Sequence, residues 1–292
     1  MNIMLIYGGK SCEHDISVIT ACLARGYFKG ELYGVYFNKN NECFLVPNSF
    51  TPAQHVESKL AVRVDFLFGE GKIALRKGRR IIKTVVIDVA VNCCHGINGE
   101  DGTVAGLCGL LNVPLVGSPV IASAVAMDKT VTKEVLQSLG IPVLNGVAAT
   151  EKDMNRLSDI SAKLGYPLIV KPARLGSSIG VEICKNDEDL YAALVRAFEY
   201  DDKILCEEAL ADFTELNCSA MRVNDVTQVS AVDCPVTAND ILTFADKYTA
   251  SSVPEKQKPQ IERKTELQVK ELTADVYDKL GFSGVIRVDY LL

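Results

Sequence analysis

Residues 84–96, TVVIDVAVNCCHG, are almost wholly apolar until they break at His95-Gly96. A run this short suits a strand covered on both faces, because a strand with one wet face would alternate apolar and polar residues. NIMLIYG (2–8), which ends at Gly8-Gly9, and LYGVYFN (32–38) have the same character. SVITACLARGY (17–27) and GTVAGLCGLLN (102–112) carry helical spacing between and after them. This alternation predicts a parallel sheet with helices on its faces. Ligand groups in such sheets collect just beyond the C-terminal ends of the strands. The loops at those ends are GGKSCEHD (8–15) and HGINGEDG (95–102). The weaker pattern VDFLFGEGKIALRKGRR (64–80) predicts a hairpin.

A second unit begins with MDKTVTKEVLQSLG (127–140), a helix with Asp128 as N-cap and a stop at Gly140-Ile-Pro142. Two strands, YPLIVKPA (166–173) and GVEIC (180–184), flank the loop KPARLGSSIG, which therefore reads as a hairpin connection. DEDLYAALVRAFEYD (187–201) predicts a helix whose first-turn acids match the helix dipole, and KILCEEAL (203–210) a strand. TELNCSAMRV and VTQVSAVDC continue as strands. A polar stretch of a length usually reserved for lids separates them from a charged helix at 260–280 and the alternating strand GVIRVDYLL.

The 292 residues suit two or three compact units. A net charge of −6 argues against nucleic acid, which needs a basic face. No apolar run reaches membrane-spanning length, and the N-terminus lacks the basic start and long apolar core of a signal peptide, so the chain reads as cytoplasmic. Ten cysteines without a C-x-x-C pair, and only three histidines, read as reduced and mostly buried thiols rather than a metal site. Cys12, in a polar loop, stands apart.

Each candidate motif has two readings. Glu13 and Ser17 at a helix mouth could hold a substrate ammonium or simply begin a helix. His95, Glu100 and Asp101 could form a ligand loop or a turn with a solvated acidic pair. KPARLGSSIG has too many small donors to ignore beside its lysine, yet Lys171 precedes the glycines, unlike a P-loop, and no G-x-G-x-x-G is present, which disfavours a dinucleotide dehydrogenase. Lys171 at the end of an apolar strand suggests a buried, paired ammonium. Glu207 and Glu215 read either as ligand groups or as surface acids. Arg287 and Asp289 share one face of a strand, as a surface pair or as a catalytic cation beside a metal carboxylate.

In their order along the chain, GGKSCEHDIS, HGINGEDG, GSPVIASAVAMDK, IVKPARLGSSIGV, EEALADFTEL, DKY and RVDYLL closely resemble the D-alanine–D-alanine ligases of the ATP-grasp superfamily. The resemblance implies an α/β ATP-grasp fold: a parallel-sheet, Rossmann-like substrate domain (1–118), a central subdomain with a phosphate flap (119–208), and a C-terminal subdomain with a lid (209–292), the last two sandwiching the nucleotide. It implies ATP and Mg²⁺ or Mn²⁺ as cofactors, D-alanine as substrate, a homodimer, and a role in peptidoglycan precursor synthesis. Lys129, Lys171 and Lys247 would contact phosphate, with Ser177 and Ser178 in the flap. Glu207 would take the adenine amino group and Glu215 the ribose hydroxyls, with Glu208 and Leu210 also binding the nucleotide. Glu13 would bind the first D-alanine's ammonium, with His95 close by, and Ser177 and Tyr248 would join a hydrogen-bonded set around Glu13. Arg287 would face the oxyanion, and Asp289 would ligate metal.

The departures from the family pattern are specific. The family continues past RVDYLL to a Glu-x-Asn segment with further metal ligands, so a C-terminal segment is expected beyond Leu292, and the strand GVIRVDYLL is expected to lack a partner at its end. A chain that stopped there would be an inactive nucleotide binder. Ala105 and Gly109 replace the family's usual Gln and Glu, and the spacing from Glu207 to Glu215 is one residue longer than in some members. Tyr248 implies an amine nucleophile rather than D-lactate and leaves D-serine open.

Overall fold

A computed structural model describes residues 1–57, 62–235 and 261–292. The chain divides into two units, Met1–Ala124 and Val125–Leu292. The first contains β1 (Asn2–Gly8), α1 (His14–Ala24), β2 (Glu31–Phe37), β3 (Cys43–Val46), α2 (Pro52–Glu57), β4 (Val62–Leu67), β5 (Lys72–Lys77), β6 (Arg80–Val86), β7 (Val89–Asn92), α3 (Thr103–Leu111) and β8 (Leu115–Val116); α4 (Val120–Met127) spans the division.

One sheet of order β6-β5-β4-β3-β2-β1-β7-β8 holds all eight strands. β2, β1, β7 and β8 are parallel, while β2 through β6 are antiparallel. The parallel strands are those joined through helices; a short turn such as Asn38–Glu42 between β2 and β3 allows only an antiparallel return. β1 is buried on both faces: Met4 and Ile6 pack into one core, and Ile3, Leu5 and Tyr7 into the other. The hairpin expected at 64–80 is β4–β5.

The single strand expected over 84–96 is two strands. β6 lies at the antiparallel edge and β7 beside β1, with a corner at Ile87-Asp88 between them. Asp88, the one charge in the run, makes that corner by accepting the backbone N–H of Asn2 at 2.7 Å while its own N–H reaches the Asn2 carbonyl. Most of β6 is exposed, so its apolar residues mark an edge rather than a core.

The second unit contains α5 (Lys129–Ser138), β9 (Gly146–Ala149), α6 (Leu157–Leu164), β10 (Leu168–Pro172), β11 (Glu182–Cys184), α7 (Asp187–Ala197), β12 (Ile204–Glu208), β13 (Glu215–Val223), β14 (Val226–Val229), α8 (Arg263–Lys279) and β15 (Val285–Leu291). Asp128 caps α5, accepting from the backbone of Thr130 and Val131, and Asn186 caps α7. The antiparallel sheet β11-β10-β12-β9 packs Leu168, Val170, Ile204 and Cys206 against Ile160 of α6 and Leu190 and Leu194 of α7. Its other face is therefore left for Ile169, Lys171, Leu205 and Glu207.

The sheet β14-β13-β15 buries Leu216 and Cys218 against Val269 of α8. Contrary to expectation, β15 is paired along its length with β13, and Leu292 and Thr214 exchange backbone hydrogen bonds at 2.9 and 3.0 Å. The Thr214–Val223 segment is long enough to match it residue for residue. All ten cysteines are free thiols, with Cys12 exposed.

Candidate active site

In the first unit the loops after β1 and β7 are drawn together by α1. Gly8 has φ +90°, and a Cβ there would lie 2.1 Å from the Phe37 carbonyl, so the turn out of β1 requires glycine. Ser17, in the second turn of α1, accepts from the Gly8 N–H at 2.7 Å and donates to the Cys93 carbonyl at 2.8 Å, which clamps the ends of β1 and β7. His14 supports the glycine turn: its Nδ1 donates to the Gly9 carbonyl at 2.6 Å, which leaves Nε2 to accept from the Tyr36 hydroxyl at 3.0 Å.

Glu13 is buried, and its carboxylate does not cap α1. A Cβ added at Gly96 would fall 2.6 Å from Glu13 Oε2, so the His95-Gly96 turn lies directly against that carboxylate. His95 itself sits 3.0 Å from Thr20 Oγ1. The acidic pair behind it is internal to the loop: Glu100 accepts from the Gly96 N–H at 2.8 Å, and Asp101 from Asn98 and Thr103. These acids shape the loop from its solvent side, Glu100 exposed and Asp101 half-buried.

In the second unit, Lys171 on β10 and Glu207 on β12 occupy the sheet face away from α6 and α7. Glu207 is opposite Ile169, so Lys171 is its diagonal neighbour. The Glu207 side chain is only 7% exposed; Oε2 pairs with Lys171 and Oε1 with Lys133 of α5. Burial alone would raise the pKa of this carboxyl, but the Lys171 and Lys133 ammoniums outweigh it and hold the group below its ordinary range.

Lys129, the first residue of α5, points its ammonium at the carbonyls of Pro172 (3.1 Å), Ala173 (3.4 Å) and Leu175, at the start of the loop that follows β10. Burial, followed by repulsion from Lys171, brings its pKa down to about 8. Neighbouring ion pairs fix this corner. Lys203 bonds Asp128 at 2.7 Å, and Asp201 accepts from both the backbone and the side chain of Arg174.

The loop after Lys171 turns sharply. Ser177 and Ser178 have φ of +53° and +57°, successive left-handed residues without glycine's freedom, at a cost of roughly 1–2 kcal/mol each. Gly180 follows at φ +69°, where a Cβ would meet the Pro172 ring at 2.8 Å. At the end of β12, Glu208 accepts from the backbone and side-chain amides of Asn145 at 2.9 and 3.3 Å, and beyond the strand Leu210 is half-buried.

On the third sheet the register puts Glu215, Asn217 and Ser219 of β13 opposite Leu291, Asp289 and Arg287 of β15. Opposed residues share a face, and this one is turned away from the α8 core. Arg287 and Asp289 form a two-pronged ion pair, Nε–Oδ1 at 2.7 Å and Nη2–Oδ2 at 3.0 Å, with both side chains about half exposed. Lys247 and Tyr248, and the lid expected around them, lie outside the described residues.

A family profile described as "D-ala D-ala ligase N-terminus" matches residues 2–118, and one described as "D-ala D-ala ligase C-terminus" matches residues 135–292. The chain belongs to the D-alanine–D-alanine ligase family. A D-alanine–D-alanine ligase of Bacillus velezensis is 33% identical over 98% of this chain and 83% of the relative, and one of Thermoanaerobacter sp. is 34% identical over 99% and 83%. Among solved structures, the Helicobacter pylori D-alanine–D-alanine ligase superposes with TM-score 0.81 at 27% identity, over 100% of this chain and 87% of that one. VanG D-Ala:D-Ser ligase from Enterococcus faecalis also gives 0.81 at 27%, over 99% and 85%. The architecture is accordingly the α/β ATP-grasp fold of these ligases.

Within this family member the structure brings Lys129, Lys171 and Glu207 into one cluster, and it sets Arg287, Asp289 and Glu215 on one face of a separate sheet. Glu208 is turned aside to Asn145. Sequence reading missed two residues, His14 and Lys133. A signal for Lys133 existed, since Lys129 and Lys133 are four apart on a helix and share a face. Nothing in the local sequence marked His14, whose partner Tyr36 is on β2.

Proposed function

We propose that this protein joins two D-alanines into D-alanyl-D-alanine at the expense of ATP, supplying a peptidoglycan precursor in the cytoplasm, and that it works as a homodimer. The observation that carries the reading is the convergence of Lys129, Lys171 and Glu207 on one face of an antiparallel sheet, at the root of a glycine-serine flap, in a chain matched nearly end to end by one ligase family.

The three-part division at 118 and 208 is retained here, with the nucleotide between the central and C-terminal subdomains. Lys129, Lys171 and Lys247 would neutralise the phosphates, Ser177 and Ser178 would close over them, Glu207 would take the adenine amino group with Glu208 and Leu210 alongside, and Glu215 the ribose. Glu13, with His95 near, would hold the ammonium of the first substrate. The carboxylate oxygen of that D-alanine attacks the γ-phosphorus, ADP leaves, and an acylphosphate forms. The amine of the second D-alanine then attacks the acyl carbon; inorganic phosphate leaves, and the nitrogen loses a proton. Arg287 would stabilise the oxyanion of that addition.

An oxygen-seeking cation fits the third sheet. Asp289 is the cross-strand partner of Asn217, whose buried Oδ1 has no hydrogen-bond partner among the described residues, and both side chains carry hard oxygen donors. Asp289 would hold Mg²⁺ or Mn²⁺, which when bound offsets phosphate charge.

The similarity to a D-Ala:D-Ser ligase, as great as that to a D-Ala–D-Ala enzyme, keeps D-serine as a second acceptor. ADP release by the purified protein with ATP and Mg²⁺ alone, with D-alanine, and with D-alanine plus D-serine tests both, with the dipeptide identified by mass. D-alanine-dependent ADP and D-Ala-D-Ala are expected. ATP binding without D-alanine-dependent turnover would overturn the proposal.

A further inference from the structure

We infer that Lys133 is a positioning residue that selects the purine of the nucleotide, by holding Glu207 as a fixed, ionised acceptor while Lys171 is handed to the phosphates. The inference rests on the reading of Glu207 as the adenine-binding carboxylate.

Glu207 is shared between two ammoniums, one on each oxygen. Their origins differ. Lys171 ends β10 at the mouth of the flap, with its side chain 23% exposed, on the route to phosphate. Lys133 comes from the body of α5 and is 14% exposed. Its stem runs over Gly146, which is opposite Glu207 in the ladder: a Cβ there would lie 2.9 Å from Lys133 Cε and 3.0 Å from Leu205 Cδ1. The absence of a side chain at Gly146 thus leaves a gap through which the Lys133 stem, beside Leu205, reaches Glu207.

The charges explain why two lysines are present. Lys133, Lys171 and Glu207 together carry one net positive charge, to which the neighbouring Lys129 adds, and this suits an incoming polyphosphate. When Lys171 turns to the phosphates, Glu207 would be a buried anion without a counter-ion unless Lys133 remained. An ionised carboxylate accepts a hydrogen bond from the 6-amino group of adenine and repels the 6-oxo group of hypoxanthine. A carboxyl that has lost Lys133 can protonate and donate to that oxygen, so discrimination should shrink.

Equilibrium binding of ATP and ITP with Mg²⁺, by calorimetry on the full-length protein, separates the possibilities without requiring turnover. Lys133→Met should weaken ATP by about tenfold while narrowing the ATP-over-ITP preference, and Lys133→Arg should restore both. D-Alanine binding and the thermal midpoint of Lys133→Arg should match the parent. If Lys133→Met weakens ATP and ITP by the same factor, or lowers only the thermal midpoint, Lys133 is structural and the inference fails. Glu207→Gln is the separate check on the underlying reading: if that variant leaves the ATP-over-ITP ratio unchanged, Glu207 does not face the purine, and the site assignment falls first.

Discussion

On the four-stranded sheet the Glu207 side chain is 7% exposed and lies between two ammoniums, whereas on the three-stranded sheet Asp289 is 46% exposed and is paired to a guanidinium two residues away. Both are carboxylates on the open face of an antiparallel sheet, and both are read as ligand groups. They differ in what holds them. The partners of Glu207 come from β10 and α5, brought there by packing, and the burial that makes its charge costly also makes each partner hard to lose. The pair at Asp289 is local to one strand and half in water, so it contributes little to stability and can exchange for a cation or an anionic oxygen. A buried cluster suits recognition by fixed geometry. An exposed pair suits groups that must change partners during a reaction.

The largest effect that would test this contrast is on folding. Glu207→Ala would leave the Lys133 and Lys171 ammoniums buried together without their anion, and should destabilise the protein by about 3 kcal/mol in urea unfolding. A loss below about 1 kcal/mol would show that the cluster relaxes into solvent, which would erase the difference between the two sheets.

Arg287→Ala should do the reverse. Its stability should stay within about 0.5 kcal/mol of the parent, as for other exposed sites, while D-alanine-dependent ADP release slows roughly 10²-fold or more. If both stability and rate fall, the exposed pair is part of the fold.

The smallest effect concerns protons and sharpens the comparison on the buried side. The pKa of Lys129 in the free protein is brought down to about 8 from an ordinary 10.5, so the ammonium is increasingly neutral above that pH. Phosphates would restore the charge, and ATP binding should therefore take up a fraction of a proton near pH 8.5–9 and none near pH ~6. Calorimetry in two buffers of different ionisation heat reads this directly. Lys129→Arg, which stays charged throughout, should abolish the uptake. Uptake that persists in Lys129→Arg would move the effect to another group.

Much of this was legible in the sequence because it depends on neighbours along the chain. The N-cap of α5 by Asp128 follows from short-range hydrogen bonding, the hairpin around Lys171 from flanking strand patterns, and the shared face of Arg287 and Asp289 from the two-residue repeat of a strand. Other features were misread for a common reason. TVVIDVAV looks like one buried strand, yet its first part is an exposed sheet edge and its second a central strand, because apolar character does not say which neighbours a strand will find. Lys133 was passed over although it is spaced to share a face with Lys129, since spacing says which way a helix faces and not what lies opposite.

The sequence by itself determined many of the elements, the cap of α5 and the turn after Lys171, and, through motif order, the family. Those properties are set by interactions within a few residues or by residue identity. Only the tertiary structure decided that Ser17 would clamp β1 to β7, that Gly96 would press against Glu13, and that Lys133 would reach Glu207 across the vacancy at Gly146. The Ser17–Cys93, Glu13–Gly96 and Lys133–Glu207 contacts join residues 76, 83 and 74 positions apart, and such distances are fixed by how layers pack.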